Sequence, residues 1–298
     1  MSGVQLKYNL CTLSDYGYLD RGLALYASLV QLHEDQFTLY YLCLDKKTYE
    51  KIGNLPGIEA VLLEDNLEHF GLQGQQMTRE QYCWSLASRF CQYLFKEEKV
   101  ADILYIDADI VFYLPLDRIY WDIGDKSIGI IPHGHNKKGS KAGMYNVGII
   151  YFKRCGAGER CLDFWVDCVM NPSNKYRKKY GTCGDQKYLE LFEDEFPREV
   201  AIIENSVSYG APWNFHLFSY EEDFEKTRVC YFKSRKTYMV FAHFSHFSPD
   251  YINDKYKMVS GGYRTNRFAR VPEVKKLYVD YFERLKKERS CVDGHTAF

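Results

Sequence analysis

The chain has 298 residues, of which 46% are hydrophobic and 16% aromatic, and its formal net charge is −1 at pH 7. This apolar content is enough for a folded core and excludes an intrinsically disordered protein. The balanced charge gives no general attraction to nucleic acid or anionic membranes. The sequence contains no long uncharged apolar run, so no transmembrane span is predicted. The length suits one large α/β domain or two small ones.

The cysteines and the first residues bear on the compartment. Ten cysteines are scattered along the chain, with no Cys-x-x-Cys pair and no histidine at zinc-finger spacing. Several lie in apolar runs, where a free thiol behaves as a small hydrophobic group, so we expect structural thiols rather than a disulfide framework. The segment Met1 to Lys7 lacks the basic and apolar regions of a signal peptide. A cytoplasmic location is therefore the default expectation.

In the first half of the chain, apolar strand patterns alternate with helical patterns. Strands are predicted at 8–13, 37–44 and 58–63, and helices at 18–32, 46–52 and 78–95. The last helix opens with Thr78-Arg79-Glu80-Gln81, which has the form of a capping box. Such alternation is typical of βαβ units. We therefore predict an α/β, Rossmann-like, doubly wound and mostly parallel sheet flanked by helices.

The second half is less regular. Strands are predicted at 127–131, 147–152, 201–203, 229–232 and 238–243, and helices at 160–170 and 185–192. The polar segment 135–143 carries lysines among glycines, and we expect a mobile loop that becomes ordered when a diphosphate binds. Neither a Ser- or Pro-rich linker nor an internal repeat occurs. The sequence therefore predicts one domain over 1–298.

A last helix is predicted at 272–289, with Pro272 in its first turn. Its apolar face either closes the core, docks a partner subunit or lies on a membrane. The helix has an excess of only about two positive charges, and each contributes ~1 kcal/mol near an anionic membrane. Burial of one Leu or Phe contributes roughly 1.5–3 kcal/mol. Packing in the protein's own core is therefore favoured.

An apolar strand pattern leads into two aspartates that are separated by one small residue. The run is Ile103-Leu104-Tyr105-Ile106-Asp107-Ala108-Asp109-Ile110-Val111-Phe112-Tyr113. Two buried like charges are unfavourable without a compensating cation. Carboxylate oxygens suit Mg²⁺ or Mn²⁺, and open α/β sheets bind ligands at strand ends. The alternative is a strand end with one capping and one solvated aspartate. The motifs further along favour the metal.

These further motifs occur in a fixed order along the chain. They are Trp84-Ser85-Leu86-Ala87-Ser88-Arg89-Phe90, Tyr145-Asn146-Val147-Gly148, Gly184-Asp185-Gln186-Lys187-Tyr188-Leu189, Ala211-Pro212-Trp213-Asn214 and His243-Phe244-Ser245-His246-Phe247. Together with the aspartate pair, the sequence from 8 to 247 resembles glycosyltransferases of the GT-A fold near glycosyltransferase family eight, which contains glycogenin. The resemblance implies metal-dependent transfer of a sugar from a nucleoside diphosphate sugar, with retention at the anomeric carbon.

The resemblance also implies a set of metal ligands. They are Asp107, Asp109 and His243. The family places its histidine in a His-Phe-x-Gly motif, in which His246 stands in place of the glycine here, and His246 is the alternative ligand. Either histidine alternatively belongs to the core.

The resemblance implies contacts with the donor as well. The residues beside the donor sugar, taken as catalytic, are Asn146, Asp185 and Gln186, and those beside the nucleotide are Thr12, Asp15, Arg89, Asp107 and Ala108. Three of them have a structural alternative: Asn146 closes a turn, Asp185 caps a helix, and Arg89 is a solvated surface residue.

The sequence departs from the family after His243, where the usual Lys-Pro-Trp ending is absent. The family's phosphate-binding lysine therefore has no counterpart, and the basic candidates for that role are Lys255, Lys257, Arg264 and Arg267.

The sequence thus predicts a glycosyltransferase that uses a nucleotide sugar, most simply a uridine diphosphate sugar, with Mn²⁺ or Mg²⁺. The acceptor is a glycan, a lipid-linked molecule or a protein, and nucleic acid is not expected as a partner. Two alternatives stay open. A nucleotidyltransferase also uses an aspartate-bound metal, although the Gly-rich basic loop typical of such enzymes is missing after the first strand. The second alternative is a non-catalytic scaffold with this fold.

Overall fold

The computed structural model describes residues 7–71, 79–134, 142–171, 173–180, 185–222, 228–232, 235–259 and 271–293. The described residues form two compact units. Unit one draws on Met1–Tyr16, Asp35–Asp107 and Tyr120–Glu204, and unit two on Gly17–Glu34, Ala108–Ile119 and Asn205–Phe298. The single domain over 1–298 stays a prediction.

The secondary structure follows the predicted alternation closely in the first half of the chain. The strands are β1 (Tyr8–Ser14), β2 (Phe37–Cys43), β3 (Ile58–Leu62), β4 (Asp102–Ile106), β5 (Ile110–Phe112), β6 (Ile128–Pro132), β7 (Tyr145–Lys153), β8 (Val200–Ile202), β9 (Ser208–Gly210), β10 (Phe218–Glu222), β11 (Arg228–Phe232), β12 (Arg235–His243), β13 (Ser248–Asp250) and β14 (Lys255–Lys257). The α-helices are α1 (Leu19–His33), α2 (Lys46–Ile52), α3 (Leu67–Phe70), α4 (Arg79–Tyr93), α5 (Asp117–Ile123), α6 (Gly156–Met170), α7 (Lys175–Tyr180), α8 (Phe192–Glu195) and α9 (Pro272–Asp293). Short 3₁₀ turns lie at Tyr16–Tyr18, Glu64–Asn66, Gln186–Leu191 and Phe215–Leu217, and a π-helical turn at Leu94–Glu98.

Unit one is built on a sheet with the strand order β3-β2-β1-β4-β7-β6-β8 among the described residues. β1 runs parallel to β2 and β4, β2 parallel to β3, and β6 parallel to β8. Only β7 runs antiparallel to its neighbours in this sheet, β4 and β6. The predicted α/β fold with a mostly parallel sheet is confirmed, and the near-continuous burial of these strands is typical of parallel sheets.

The end of β4 is fixed by the core of unit one. Side chains of β4, α4 and α6 share one buried apolar cluster, to which Tyr105, Phe90 and Trp165 contribute. The predicted apolar run from 103 to 113 is two separate strands, because the chain leaves β4 at Asp107 and pairing resumes only at Ile110. The aspartates therefore lie in the break between β4 and β5.

Unit two is organised around β12. This strand pairs antiparallel with β5 and β11 and parallel with β9. α9 contacts α1, and its apolar face is buried in the core of the unit together with Phe244 and Phe247. The prediction that this helix closes the protein's own core is confirmed, although the helix continues to Asp293.

Several sequence predictions need correction, and others concern residues that the structure does not describe. The predicted helix at 185–192 is a 3₁₀ turn at Gln186–Leu191 that leads into α8. The strands β9, β10, β13 and β14 and the helices α3, α5 and α7 were not predicted. The expected mobile loop lies almost wholly outside the described residues, as do Arg264 and Arg267. Within the described part of the chain, no helix has the length and apolar character needed to cross a bilayer.

Candidate functional site

In unit one, Asp107 lies at the carboxyl end of β4 and is held from two sides. The hydroxyl of Tyr105 donates a hydrogen bond to Asp107 Oδ1 over 2.8 Å. The backbone N–H of Asp107 donates to the carbonyl oxygen of Gly148 over 2.9 Å. Gly148 belongs to β7, so the neighbouring strand fixes the backbone of the aspartate. The carboxylate is therefore positioned before any ligand binds.

Asp185 is another acidic residue of unit one among the candidate site residues. The residue is 4% exposed, and burial together with the negative charge of Asp107 raises the pKa of its carboxyl to about 8. It precedes the 3₁₀ turn, but its side chain makes no capping hydrogen bond there. The structure thus gives no support to the capping alternative for Asp185. Near neutral pH a large share of this carboxyl is protonated and able to donate a hydrogen bond.

Asn146 and Gln186 hold each other. Asn146 Nδ2 donates to Gln186 Oε1 over 3.1 Å, and Gln186 Nε2 donates to the carbonyl oxygen of Ala142 over 2.7 Å. Asn146 Oδ1 accepts from the N–H of Gly148 over 2.9 Å, a local bond of the kind that the turn alternative requires. The two amides are thus placed together.

In unit two, Asp109 pairs with His243. His243 Nε2 lies 3.0 Å from Asp109 Oδ1, and the N–H of Phe244 donates to the backbone oxygen of Asp109 over 2.9 Å. Both side chains are buried, and the ring of Trp213 meets His243 edge-on, with centroids 5.2 Å apart. Burial alone raises the pKa of Asp109, but His243 and the Arg21 charge together hold it below its ordinary value. Asp109 is thus a carboxylate at neutral pH.

Three of the predicted ligands come together. Asp107, Asp109 and His243 each offer one ligand atom, and these atoms lie within 4.8 Å of one another. His246 is exposed, stands in the left-handed backbone region with φ 62°, and does not belong to this group. Two carboxylate oxygens and one imidazole nitrogen form a donor set that fits a divalent cation. The oxygens suit Mg²⁺ or Mn²⁺, and the nitrogen favours Mn²⁺ over Mg²⁺.

The predicted nucleotide residues lie at the end of β1. Thr12 is fully buried, and its Oγ1 has no hydrogen-bond partner among the described residues. Asp15 follows β1 and is partly exposed. Asp45, which no sequence motif identified, accepts hydrogen bonds from the N–H groups of Tyr16, over 2.7 Å, and Thr48, over 2.9 Å. Its capping position before α2 was the available signal. Asp45 fixes the chain after β1.

Arg89 is partly buried on α4 rather than fully solvated. Its Nη2 lies close to Gly71, and a Cβ added to this glycine would come within 2.6 Å of that nitrogen. Gly71 also has a φ of +56°, so both space and backbone conformation favour glycine. Lys255 and Lys257 are exposed on β14, in unit two.

Two curated proteins are similar to this chain in sequence. The uncharacterized protein YfnF of Bacillus subtilis (strain 168) is 30% identical over 233 residues, which cover 71% of this chain and 74% of YfnF. The uncharacterized protein YfnD of the same organism is 25% identical over 272 residues, or 86% of this chain and 82% of YfnD. No protein-family profile matches the sequence.

Solved structures establish the fold. An active-site mutant of LgtC superposes with a TM-score of 0.53 at 15% identity, covering 89% of this chain and 95% of the other. Mouse xyloside xylosyltransferase 1 in its apo form superposes with a TM-score of 0.51 at 14% identity, covering 84% of this chain and 99% of the other. The fold is therefore the GT-A fold of nucleotide-sugar glycosyltransferases, as predicted.

Proposed function

The chain belongs to the family that includes YfnF of Bacillus subtilis, and we propose that it is a metal-dependent glycosyltransferase. It transfers a sugar from a nucleoside diphosphate sugar, most simply a uridine diphosphate sugar, to a glycan, lipid-linked or protein acceptor. The observation that carries this proposal is the group formed by Asp107, Asp109 and His243 in a chain with the GT-A fold.

The metal site accounts for the chemistry of bond cleavage. When the glycosidic bond to the diphosphate breaks, negative charge grows on the leaving group, and a bound divalent cation stabilises that charge. Asp107, Asp109 and His243 would hold the cation. Both the Tyr105 hydroxyl and the Gly148 carbonyl fix Asp107 beforehand, so little reorganisation accompanies the reaction.

The sugar side of the site is assigned to Asn146, Asp185 and Gln186. Their amide and carboxyl groups offer both donors and acceptors, as neighbouring sugar hydroxyls require. The bond between Asn146 and Gln186 orients both amides. No carboxylate of this set is assigned as a general base, and a retaining reaction does not demand one.

The nucleotide side is assigned to Thr12, Asp15 and Ala108, with Arg89 directed to the diphosphate. The buried Oγ1 of Thr12 supports this assignment: it has no partner within the described part of the chain, which is unfavourable for a buried hydroxyl, and a ribose or base would satisfy it. Arg89 lies beside Gly71, and burial lowers its pKa from the ordinary value of an arginine.

The proposal is tested with a panel of nucleotide sugars, Mn²⁺ and a detector of free nucleoside diphosphate. We expect release of the diphosphate from one donor, most simply a uridine diphosphate sugar. Formation of a nucleotide sugar from a nucleoside triphosphate and a sugar phosphate would instead identify a nucleotidyltransferase. If every donor and every sugar phosphate stays intact, the non-catalytic alternative replaces the proposal. The matched control is Asp107→Asn, which should release no nucleoside diphosphate from any donor of the same panel.

A further inference from the structure

Both carboxylate oxygens of Asp109 are held within unit two. Oδ1 lies 3.0 Å from His243 Nε2, whereas Oδ2 accepts a hydrogen bond from the hydroxyl of Tyr18 over 3.3 Å. We propose that Tyr18, supported by Arg21, is a positioning residue that holds Oδ2 so that Asp109 offers a single oxygen, Oδ1, to the cation. The inference rests on the proposed function and adds to it residues that no sequence motif identified.

Arg21 fixes the ring that carries the hydroxyl. Its guanidinium carbon lies 3.9 Å from the ring centroid of Tyr18, close enough for a cation–π interaction. Arg21 is only 6% exposed, so this interaction is partly desolvated and stronger than on the surface. The planar guanidinium therefore restricts the ring of Tyr18, and with it the direction of the hydroxyl.

Arg21 also reaches the turn that follows His243. Its Nη2 donates to the backbone oxygen of Phe247 over 3.2 Å. The N–H of Phe247 donates to the oxygen of Phe244 over 3.0 Å, and the N–H of Phe244 in turn donates to Asp109. The beginning of α1, the Asp109 backbone and the segment after His243 thus form one hydrogen-bonded network. Arg21 thus contacts both the Tyr18 ring and the turn that follows His243.

The charge of Arg21 would by itself repel a cation, but it is offset by Asp20. Arg21 Nη1 lies 3.0 Å from Asp20 Oδ1, and Asp20 is 1% exposed. The hydroxyl of Tyr251 donates to the other oxygen of Asp20. The ion pair with Asp20 therefore reduces the repulsion between Arg21 and a cation at Asp109.

The position of Arg21 in α1 supports a specific role. Arg21 lies in the first turn of the helix, where the helix dipole disfavours a positive side chain. Burial of a guanidinium is also unfavourable unless its donors are satisfied. A residue that breaks two local rules and nevertheless has three defined partners is expected at a functional site.

The test measures metal binding in the full chain without donor. Tyr18→Phe removes the hydroxyl and keeps the ring over Arg21, and Tyr26→Phe on the same helix is the matched control. Mn²⁺ is titrated while the electron paramagnetic resonance signal of free Mn²⁺ is recorded. Loss of an outer-shell partner typically weakens metal binding by 10–100-fold, so we expect Tyr18→Phe to weaken Mn²⁺ binding about tenfold at unchanged thermal stability. Tyr26→Phe should bind as the wild type does.

The visible spectrum of bound Co²⁺ reports the coordination directly. If Tyr18 holds Oδ2, Tyr18→Phe frees that oxygen for the metal, and the d–d absorption should change in intensity. Arg21→Lys, which keeps the charge but loses the planar contact, should change the spectrum in the same direction. Equal Mn²⁺ affinity and an identical Co²⁺ spectrum in wild type and Tyr18→Phe would overturn the inference alone. A wild-type chain that binds no Mn²⁺ would overturn the proposed metal site, and this inference with it.

Discussion

The indole nitrogen of Trp165 donates a hydrogen bond to the backbone oxygen of Asp185 over 3.0 Å. Both residues are buried, and Trp165 is among the largest fully buried side chains of the described chain. Helix α6 thus fixes the backbone at the residue whose carboxyl is proposed to face the donor sugar. After Asp185 the chain continues in the short 3₁₀ turn Gln186–Leu191, so the tryptophan is an important constraint on the sugar side of the site.

The first prediction follows from this bond. Trp165→Phe leaves the Asp185 carbonyl without its donor and opens a cavity, so the free energy of unfolding should fall by roughly 2–4 kcal/mol. The Michaelis constant for the donor should rise as well, because Asp185 loses its anchor. Denaturant unfolding and donor titration measure the two effects. Trp121→Phe is the control, since Trp121 is 68% exposed, and its effect should stay within ~0.5 kcal/mol. Equal effects of the two substitutions would contradict the prediction.

The second prediction concerns the carboxylates. Asp107→Asn and Asp109→Asn keep the side-chain shape and remove the charge, so each should lower the rate of sugar transfer roughly 10²-fold or more while the protein stays folded. A chelator should abolish wild-type activity, and added Mn²⁺ should restore it. Asp125→Asn is the control, because the Asp125 side chain is 93% exposed. Full activity in the chelator would show that the reaction does not need the metal.

The third prediction separates the two histidines. His243 is buried against Asp109, and His246 is exposed. His243→Gln should therefore raise the Mn²⁺ concentration for half-maximal transfer at least tenfold. His246→Gln should leave that concentration unchanged. Transfer rates measured over a Mn²⁺ series give both values, and the reverse order would move the ligand role to His246.

The sequence predicted those parts of the molecule that depend on local pattern. The run that became β2 is a near-continuous apolar segment, β1 and β3 are mostly apolar, and the parallel order of the three strands follows from the helices between them. Asp107, Asp109 and His243 were identified because a motif surrounds each. Tyr18 was not, since it is one of 26 tyrosines and only folding brings it to Asp109, 91 positions further along the chain.

The short strands show the same limit. β9 has three residues, Ser208–Gly210, and pairs with β12. A segment of this length carries no periodicity, so its conformation is decided by the strand it meets. Gly210 illustrates this: a Cβ there would come within 2.2 Å of the Phe215 ring. Such a close approach depends on tertiary packing, which a local sequence pattern does not contain.

The last prediction concerns stability and pH in unit two. His33 closes α1, is 5% exposed, and its Nε2 accepts the N–H of Leu116 over 3.1 Å. Burial lowers the pKa of His33, and nearby Asp117 offsets this only in part. The folded state therefore binds a proton less readily than the unfolded state, in which the pKa is about 6.5.

The stabilisation from His33 is consequently complete above pH ~6.5 and is lost as the pH falls toward the lowered pKa of the folded state. One proton gives a slope of at most ~1.4 kcal/mol per pH unit. His33→Gln keeps an acceptor for Leu116 but cannot titrate, so its free energy of unfolding should fall less steeply below pH ~6.5 than that of the wild type. Urea unfolding of both proteins between pH 5 and 8 measures the difference. If the two curves stayed parallel over this range, His33 would titrate alike in the folded and unfolded states.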